Sequence, residues 1–419
     1  MKLGLKRCLF LLSTIVVASS AMAATIDEAD DLDQRDIGAL RDWINTKRQV
    51  TIKESGGALS ISGEVRTEFQ HTHETADGVD QRGPNGVVFG SDGLPIPSNG
   101  FDVEVNLMFD YRTDRSWAAV KLEFDNEAGI ISGTLNKLKL ERAIWGYRIF
   151  DRSNWGLDVE LGRRRMSSML DSKLEFNSFF DGVWFKYSHN IDPVGSAYLH
   201  AGVFLVNEWK EQFGYVGEIG LLNLFKTGFY TKYSVIDWDT KKFTDSIDKQ
   251  RYDFIVSQLI IGYRFNAFCS KKPVQIYLAG LYNHKAQKLP ITNNQKANWG
   301  TYLGVSMGEL KKKGDWAFDI NGQLLAAQCV PDFDVSGIGI GNASSAGFYT
   351  VKLDGKGGLN TIKTAGGNVN YQGYQITFDY LFTNQIDVQL SWMQSITLNK
   401  HIGPYHRFRQ LEVELIYGF

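Results

Sequence analysis

The chain has 419 residues, of which 43% are hydrophobic and 22% charged, and its formal net charge is -2. This near balance of acidic and basic residues gives no reason to expect a nucleic-acid partner. Mean hydropathy is -0.22. Beyond the N-terminus no apolar run reaches the roughly 18 residues that a membrane helix needs, so any membrane crossing would be made by strands.

The N-terminus has the parts of a secretory signal peptide. Lys2, Lys6 and Arg7 precede the apolar stretch Cys8–Ala18, and residues 21–23 form an A-x-A cleavage site. We therefore predict that residues 1–23 are a signal peptide and that the rest of the chain is exported. Its removal leaves 42 basic and 47 acidic residues, a net charge of -5.

Residues 24–57 are charged and differ from the sequence that follows. Ile37, Leu40 and Ile44 recur at helical spacing, which predicts a short amphipathic helix over Asp36–Arg48 with Asp36 as its N-cap. We interpret this segment as an N-terminal extension, either a loosely docked lead-in or a plug or oligomerisation element.

From residue 58 onward the period-2 pattern of β-strands dominates. In Phe101–Arg112, the residues from Phe101 to Tyr111 alternate between an apolar side and a polar side. Similar segments are predicted at Leu59–Phe69, Ala118–Asp125, Leu138–Ile149, Trp155–Arg164, Gly182–Ser188, Ala197–Leu205, Tyr215–Leu224, Phe229–Trp238, Ile255–Phe265, Val274–Asn283, Trp299–Met307, Asp315–Leu325, Tyr374–Leu381 and Ile386–Met393, with a last strand at the C-terminus. The total is about 16 strands.

One long segment leaves the strand number open. Gln328–Gln372 contains Phe348–Leu353 and Leu359–Lys363, which would form a further hairpin and raise the total to about 18 strands. We expect a surface loop instead, because both segments are short and neither has a clean apolar face.

The connections between strands alternate in length, and this favours a membrane barrel. Short links such as Thr113–Arg115 and Thr383–Gln385 alternate with long ones such as His71–Gly100 and His284–Asn298. An exported soluble β-sandwich also predicts alternating strands, but it predicts neither this alternation of links nor aromatic residues at strand ends. Such aromatic residues are Trp117, Trp155, Tyr187, Tyr263, Phe265, Tyr380, Trp392, Tyr417 and Phe419.

The last ten residues carry a family resemblance. Phe419, Tyr417 and Leu415 lie on the apolar side of QLEVELIYGF, and an aromatic residue is the last of the chain. This stretch resembles the closing strand of bacterial outer-membrane barrels, and residues 58–419 resemble the 16-stranded general porins in pattern. The resemblance implies an all-β transmembrane antiparallel barrel in the outer membrane of a diderm bacterium. It also implies short periplasmic turns, long extracellular loops, and a terminal signal for the barrel-assembly machinery.

A barrel of this size has a lumen that side chains cannot fill, so we expect a water-filled passage for small hydrophilic solutes and ions. In general porins the third loop narrows the lumen, and RRRMSSMLDSKLEFNSFFDG is similar in position and charge. The resemblance implies that Asp171 and Glu175 face inward bases at the constriction, namely Arg66, Lys121, Arg142 and Arg164. The Pro-Glu-Phe-Gly-like turn typical of this loop in general porins is absent. The alternative is therefore that the loop lies at the outer rim.

Two other functions are consistent with parts of the sequence. Trp184, Tyr198, Phe204, Tyr230 and Tyr277 are predicted to face inward and would form the stacking track of a sugar-selective porin. A non-conducting adhesin would keep the loops without a passage.

Enzyme chemistry has weak support. His71, His73, His401 and His406 are on the loop side, but no Ser, His and Asp set stands out, so we expect neither catalysis nor a cofactor or metal.

Because acidic residues outnumber basic ones at inward positions, we expect weak cation preference. The expected partners are membrane lipid and further copies in a homotrimer, packed through Ala197, Ala201 and Gly217.

Overall fold

The computed structural model describes residues 50–54, 57–89, 95–127, 135–239, 253–267, 272–286, 288, 295–342 and 368–419. The predicted signal peptide and the predicted helix over Asp36–Arg48 lie outside these residues. Among the described residues, no helix is long and apolar enough to cross a membrane.

The described chain is almost entirely β-structure. Its strands are β1 (Val50–Glu54), β2 (Gly57–Ala76), β3 (Val79–Asp80), β4 (Asn99–Arg112), β5 (Ser116–Glu127), β6 (Leu135–Asp151), β7 (Trp155–Arg165), β8 (Phe179–Ile191), β9 (Gly195–Asn207), β10 (Gln212–Leu224), β11 (Phe229–Asp237), β12 (Ile255–Asn266), β13 (Pro273–Asn283), β14 (Trp299–Gly308), β15 (Trp316–Leu325), β16 (Tyr371–Leu381), β17 (Ile386–Thr397) and β18 (His406–Gly418). Within the described residues, two short 3-10 helices occur, at Met166–Ser168 and Gly337–Gly341.

Sixteen of these strands form a closed antiparallel barrel, as the sequence predicts. Each strand from β4 to β18 pairs with its neighbour in the chain, and β18 pairs with β2 to close the ring. Strand β15 pairs directly with β16 through Leu325 and Tyr371. No further hairpin therefore enters the wall at that point, and the alternative of about 18 strands is wrong.

The C-terminal residue takes part in closure. The Phe419 N–H donates to the Gly63 carbonyl at 2.9 Å, and the Gly63 N–H donates to the Phe419 carbonyl at 3.0 Å. A Cβ at Gly63 would lie 2.6 Å from the Phe419 ring, so a side chain there would have to displace that ring. Just past this contact β1 pairs with β2, from Val50 opposite Ile61 to Glu54 opposite Gly57. The end of the expected N-terminal extension therefore belongs to the sheet.

The wall alternates between an apolar outer face and a largely polar inner face. On β9, Leu199 is 51% exposed on the outside, whereas its neighbours Tyr198 and His200 are buried inside. On β10, Ile219 is exposed and Glu218 is buried. This two-sided pattern is expected of strands that face lipid on one side and the barrel interior on the other.

Candidate functional site

The third loop, residues 166–178 between β7 and β8, lies inside the barrel. The Gln258 side chain on β12 donates to the Asp171 carbonyl at 2.7 Å, and the Lys232 ammonium on β11 lies 3.4 Å from the Asp171 carboxylate. Both wall residues are buried on the inner face. Asp171 itself remains half-buried, so its carboxylate retains contact with water.

The seventh loop, residues 326–370, is described at residues 326–342 and 368–370, and these parts pack against the third loop. The Asp334 carboxylate accepts hydrogen bonds from the Phe176 N–H at 3.3 Å and the Ser178 N–H at 2.9 Å. The Ser336 N–H donates to the Leu174 carbonyl at 3.0 Å. We expected a surface loop here, and for these parts that expectation is wrong, because their apolar side chains are buried inside the barrel.

The two loops and one side of the inner wall share an apolar cluster. Its members from the third loop are Met166, Met169, Leu170, Leu174 and Phe176; those from the seventh loop are Cys329, Val330, Val335, Ile338 and Val369; and wall residues include Trp184, Phe204, Tyr230, Tyr277 and Tyr302. Removing so much apolar surface from water stabilises the docked loops. This cluster occupies the lumen beside β8–β16 and reaches β17 and β18 through Met393 and Phe408.

The aromatic residues of the possible sugar track are neighbours, but they are covered. Trp184 and Phe204 each lie about 5.5 Å from the Phe180 ring, and both are only 2% exposed. Tyr230 is 3% exposed, and Tyr277 donates its hydroxyl to Asp319. A stacking track needs ring faces that a solute can reach, and these faces are packed against protein.

Ionisable side chains that keep contact with water line the other side of the lumen. Arg66 on β2 pairs with Glu64 at 2.5 Å and lies 4.0 Å from Glu104, and the Arg66 side chain is 22% exposed. On β7, Glu160 accepts hydrogen bonds from Arg164, from Lys186 at 2.6 Å and from the Trp117 indole at 3.0 Å. Arg66 and Arg164 are therefore inward-facing, but each is paired with a carboxylate.

Lys121 and Arg142 stand opposite each other on β5 and β6. The register shifts next to this pair, so Glu141 is an extra residue on β6 and also faces inward, where it is 5% exposed. Arg165, at the start of the third loop, forms two hydrogen bonds with Glu141 at 2.8 and 2.9 Å. The base of the third loop is thus joined to the same charged wall.

Strands β18, β2 and β4 carry an excess of acidic residues on the inner wall. Glu68 stands opposite Asp102 on one side and opposite Glu414 on the other. Glu104 and Glu412 are the next inward acids along the neighbouring strands, and Arg66 is the base beside them. Adjacent acids on one wall of a lumen give a negative potential that attracts cations.

Glu175 does not lie where we expected it. Its side chain is 1% exposed, and neither carboxylate oxygen has a hydrogen-bond partner among the described residues. Burial, with a further contribution from Asp334, raises the pKa of Glu175 well above its usual value. The physical reason is that the neighbouring Leu174 and Phe176 anchor the loop in the apolar cluster, which takes Glu175 out of water.

Asp334 is the principal residue that the sequence did not reveal. It is fully buried between the two loops, and burial raises its pKa to about 6 despite the hydrogen bonds from Ser178 and Phe176. Nothing in the local pattern of a long glycine-rich loop indicates that one of its carboxylates binds another loop.

The loop-side histidines form no metal-binding group. His71, His73 and His401 are exposed, while His406 is buried and lies 2.8 Å from the Glu74 carboxylate. Within the described ranges, no three His, Cys, Asp or Glu side chains are arranged to hold a metal ion.

Polar inner wall, apolar outer wall and ring closure define a transmembrane β-barrel. No protein-family model matches the chain, and no curated protein matches its sequence. Among solved structures, OprB of Pseudomonas putida is 10% identical, over 92% of this chain and 97% of that chain, with a TM-score of 0.50. OmpF of Salmonella typhi, in complex with daunomycin, is 13% identical over 88% and 100%, with a TM-score of 0.49.

A third similar structure is DcaP, an outer-membrane channel of Acinetobacter baumannii, at 13% identity over 88% and 99% of the two chains and a TM-score of 0.45. At such identities the similarity concerns the fold. The predicted antiparallel barrel of 16 strands is confirmed at the level of the fold.

Proposed function

We propose that this chain is an outer-membrane porin that lets small hydrophilic solutes and ions diffuse passively. The main support is the partition of the lumen. Loops and aromatic residues fill the side beside β8–β16, while water-accessible charged side chains such as Arg66 and Glu104 line the other side. A channel through a barrel of 16 strands needs such a hydrated wall.

We also propose that the channel weakly prefers cations. Glu68, Asp102, Glu412 and Glu414 cluster on β18, β2 and β4, with Arg66 as the nearby base. On β7 and β8, Arg164 and Lys186 both pair with Glu160, whose single negative charge offsets one of their two positive charges. The excess negative charge would concentrate cations, although salt screens it over about 8 Å at physiological ionic strength.

Planar-bilayer recordings test both parts. Folded protein is expected to give stepwise ion conductance. Under a salt gradient, the zero-current potential is expected to have the sign of a cation preference and a small magnitude. Replacing Glu68 with Gln and Asp102 with Asn should shift that potential toward anions. The control variant Glu208→Gln with Glu211→Gln removes two carboxylates from an exposed turn between β9 and β10 and should leave it unchanged.

The absence of conductance from correctly folded barrels would contradict the porin proposal and favour a structural or adhesive protein. A sugar-selective porin is less well supported, because the aromatic rings expected to form its track are buried. Saturable block of the conductance by oligosaccharides would revive that alternative.

We include a homotrimer in the proposal. A shallow apolar groove of about 420 Å³ lies on the outer wall, and its lining includes the small Ala201 and Gly217 and the larger Phe185 and Tyr215. Small side chains that leave such a groove allow close packing of a second wall. The proposed partners in the membrane are therefore lipid and further copies of the chain, with the barrel-assembly machinery acting during insertion through Phe419, Tyr417 and Leu415.

A further inference from the structure

The outer face of the barrel carries a group of basic side chains at its loop end. Arg407 and Arg409 on β18 are exposed and point outward, because the alternating residues Phe408 and Gln410 are buried inside. On β2, His73 stands directly opposite Arg409, and His71 is the next outward residue. We call these four residues, Arg407, Arg409, His71 and His73, the outer-rim basic patch.

The outer-rim basic patch begins where the apolar belt ends. Leu411 stands opposite Trp392, whose indole N–H donates to the Tyr374 hydroxyl at 3.4 Å. Outward-facing Trp and Tyr side chains are typical of the lipid–water interface. With a rise of about 3.4 Å per residue and a tilt of about 40°, Arg409 and Arg407 lie about 21 and 26 Å above Tyr417. An apolar band is about 25 Å tall, so both guanidinium groups reach the headgroup layer.

On the two strands that flank β18, no carboxylate stands opposite Arg407 or Arg409. Arg409 stands between Gln394 and His73, and Arg407 stands between Ile396 and Thr75. The arginine Arg163 differs, because it forms two hydrogen bonds of 2.7 Å with Asp181 on the neighbouring strand at the same end of the barrel.

The next acidic residues beyond the patch are Asp77 and Asp80, which follow the end of β2 in the sequence. Asp77 accepts a hydrogen bond from the Tyr405 N–H at 2.7 Å, and Asp80 stands opposite Thr75, one strand further away. No ion pair joins either acid to the patch among the described residues. Arg407 lies over the Tyr405 ring at 4.7 Å, and Lys400 lies over the same ring at 4.3 Å, which adds a further positive charge.

We infer that the outer-rim basic patch binds the phosphate groups of a lipid headgroup in the outer leaflet. Guanidinium groups match phosphate geometry with two hydrogen bonds, and they lie at the depth where headgroup phosphates lie. The acyl chains of the same lipid would lie against Leu411, Val413 and Phe69 on the apolar belt. This continuity between basic patch and apolar belt favours a lipid over a free anion.

The test measures lipid binding to the folded full-length barrel in detergent micelles by native mass spectrometry. The probes are lipid A with two phosphates, zwitterionic phosphatidylcholine, and inorganic phosphate as a competitor. We expect lipid A to bind in preference to phosphatidylcholine. Arg407→Gln with Arg409→Gln should weaken its binding about thirty-fold, since each basic residue near an anionic surface contributes roughly 1 kcal/mol.

The matched control is Lys210→Gln with Lys285→Gln, which removes two exposed positive charges from loops elsewhere on the same end. It should keep the affinity for lipid A, and heat-modifiable migration on gels should show that both double variants fold. Equal lipid A binding by the two double variants would overturn the inference, as would equal binding of phosphatidylcholine. Displacement by inorganic phosphate at concentrations comparable to those of the lipid would also overturn it, because the site would then be a free-anion site. The measurement requires no conductance, so its failure is separate from failure of the porin proposal.

Discussion

Alkaline conditions should loosen the contact between the third and seventh loops, and Glu175→Gln should reduce this effect. Glu175 is buried without a hydrogen-bond partner among the described residues and is close enough to Asp334 for that acid to raise its pKa further. Docked loops therefore favour the neutral form of Glu175, whereas undocked loops would expose the carboxyl group to water and restore its ordinary pKa.

The size of the effect can be worked out for Asp334, whose pKa rises from 3.8 to about 6 on burial. Each pKa unit corresponds to about 1.4 kcal/mol, so ionisation of Asp334 weakens docking by about 3 kcal/mol. Both pKa values are raised in the docked state. The stabilisation is therefore complete at acidic pH, below the ordinary carboxyl pKa values. It is lost as pH rises through about 6 for Asp334 and through the raised pKa of Glu175.

Hydrogen exchange followed by mass spectrometry measures this docking. The informative peptides cover residues 166–178 and 326–342, compared between pH 5 and pH 8 after correction for the intrinsic effect of pH on exchange. We expect protection to fall with pH in the wild type and to fall less in Glu175→Gln, which cannot ionise. Glu208→Gln is the control, since Glu208 is an exposed carboxyl on another loop.

Equal loss of protection in Glu175→Gln and in the wild type would refute the assignment of Glu175 as an ionisable buried group. Protection that does not change between pH 5 and pH 8 in the wild type would refute the reasoning for both carboxyl groups. In either case the apolar cluster alone would hold the loops.

Four further outcomes are expected. Deleting Phe419 should lower the amount of barrel in the outer membrane, measured by the heat-modifiable gel band, more than it lowers the stability of assembled barrels. Asp171→Asn should shift the zero-current potential toward anions, and Glu175→Gln should not, since only Asp171 reaches water. Gly337→Ala should increase exchange in the two loops, because φ is 62° there and a Cβ would lie 2.3 Å from a backbone oxygen of the third loop. Cys329, 0% exposed, should react with maleimide in unfolded protein and resist it in folded barrels.

The sequence alone determined the wall of this protein. Strands such as Phe101–Arg112 could be recognised because lipid on one side and a polar lumen on the other impose alternation on neighbouring residues. Counting the segments with this alternation predicted the number of strands, and the lengths of the segments between them showed that short and long links alternate. The aromatic residues at the C-terminus indicated where the barrel closes. The inward orientation of Arg66 and Arg164 follows from the same alternation.

Only the tertiary structure decided what the lumen contains. Asp171 and Glu175 are four residues apart in one loop and have the same charge, yet Asp171 meets Lys232 at 3.4 Å while Glu175 is buried next to Asp334. That difference arises from contacts between residues of the third loop and residues more than a hundred positions later in the seventh loop. Loop sequences lack a repeating pattern, so the burial and ionisation of their side chains depend on which distant segment packs against them.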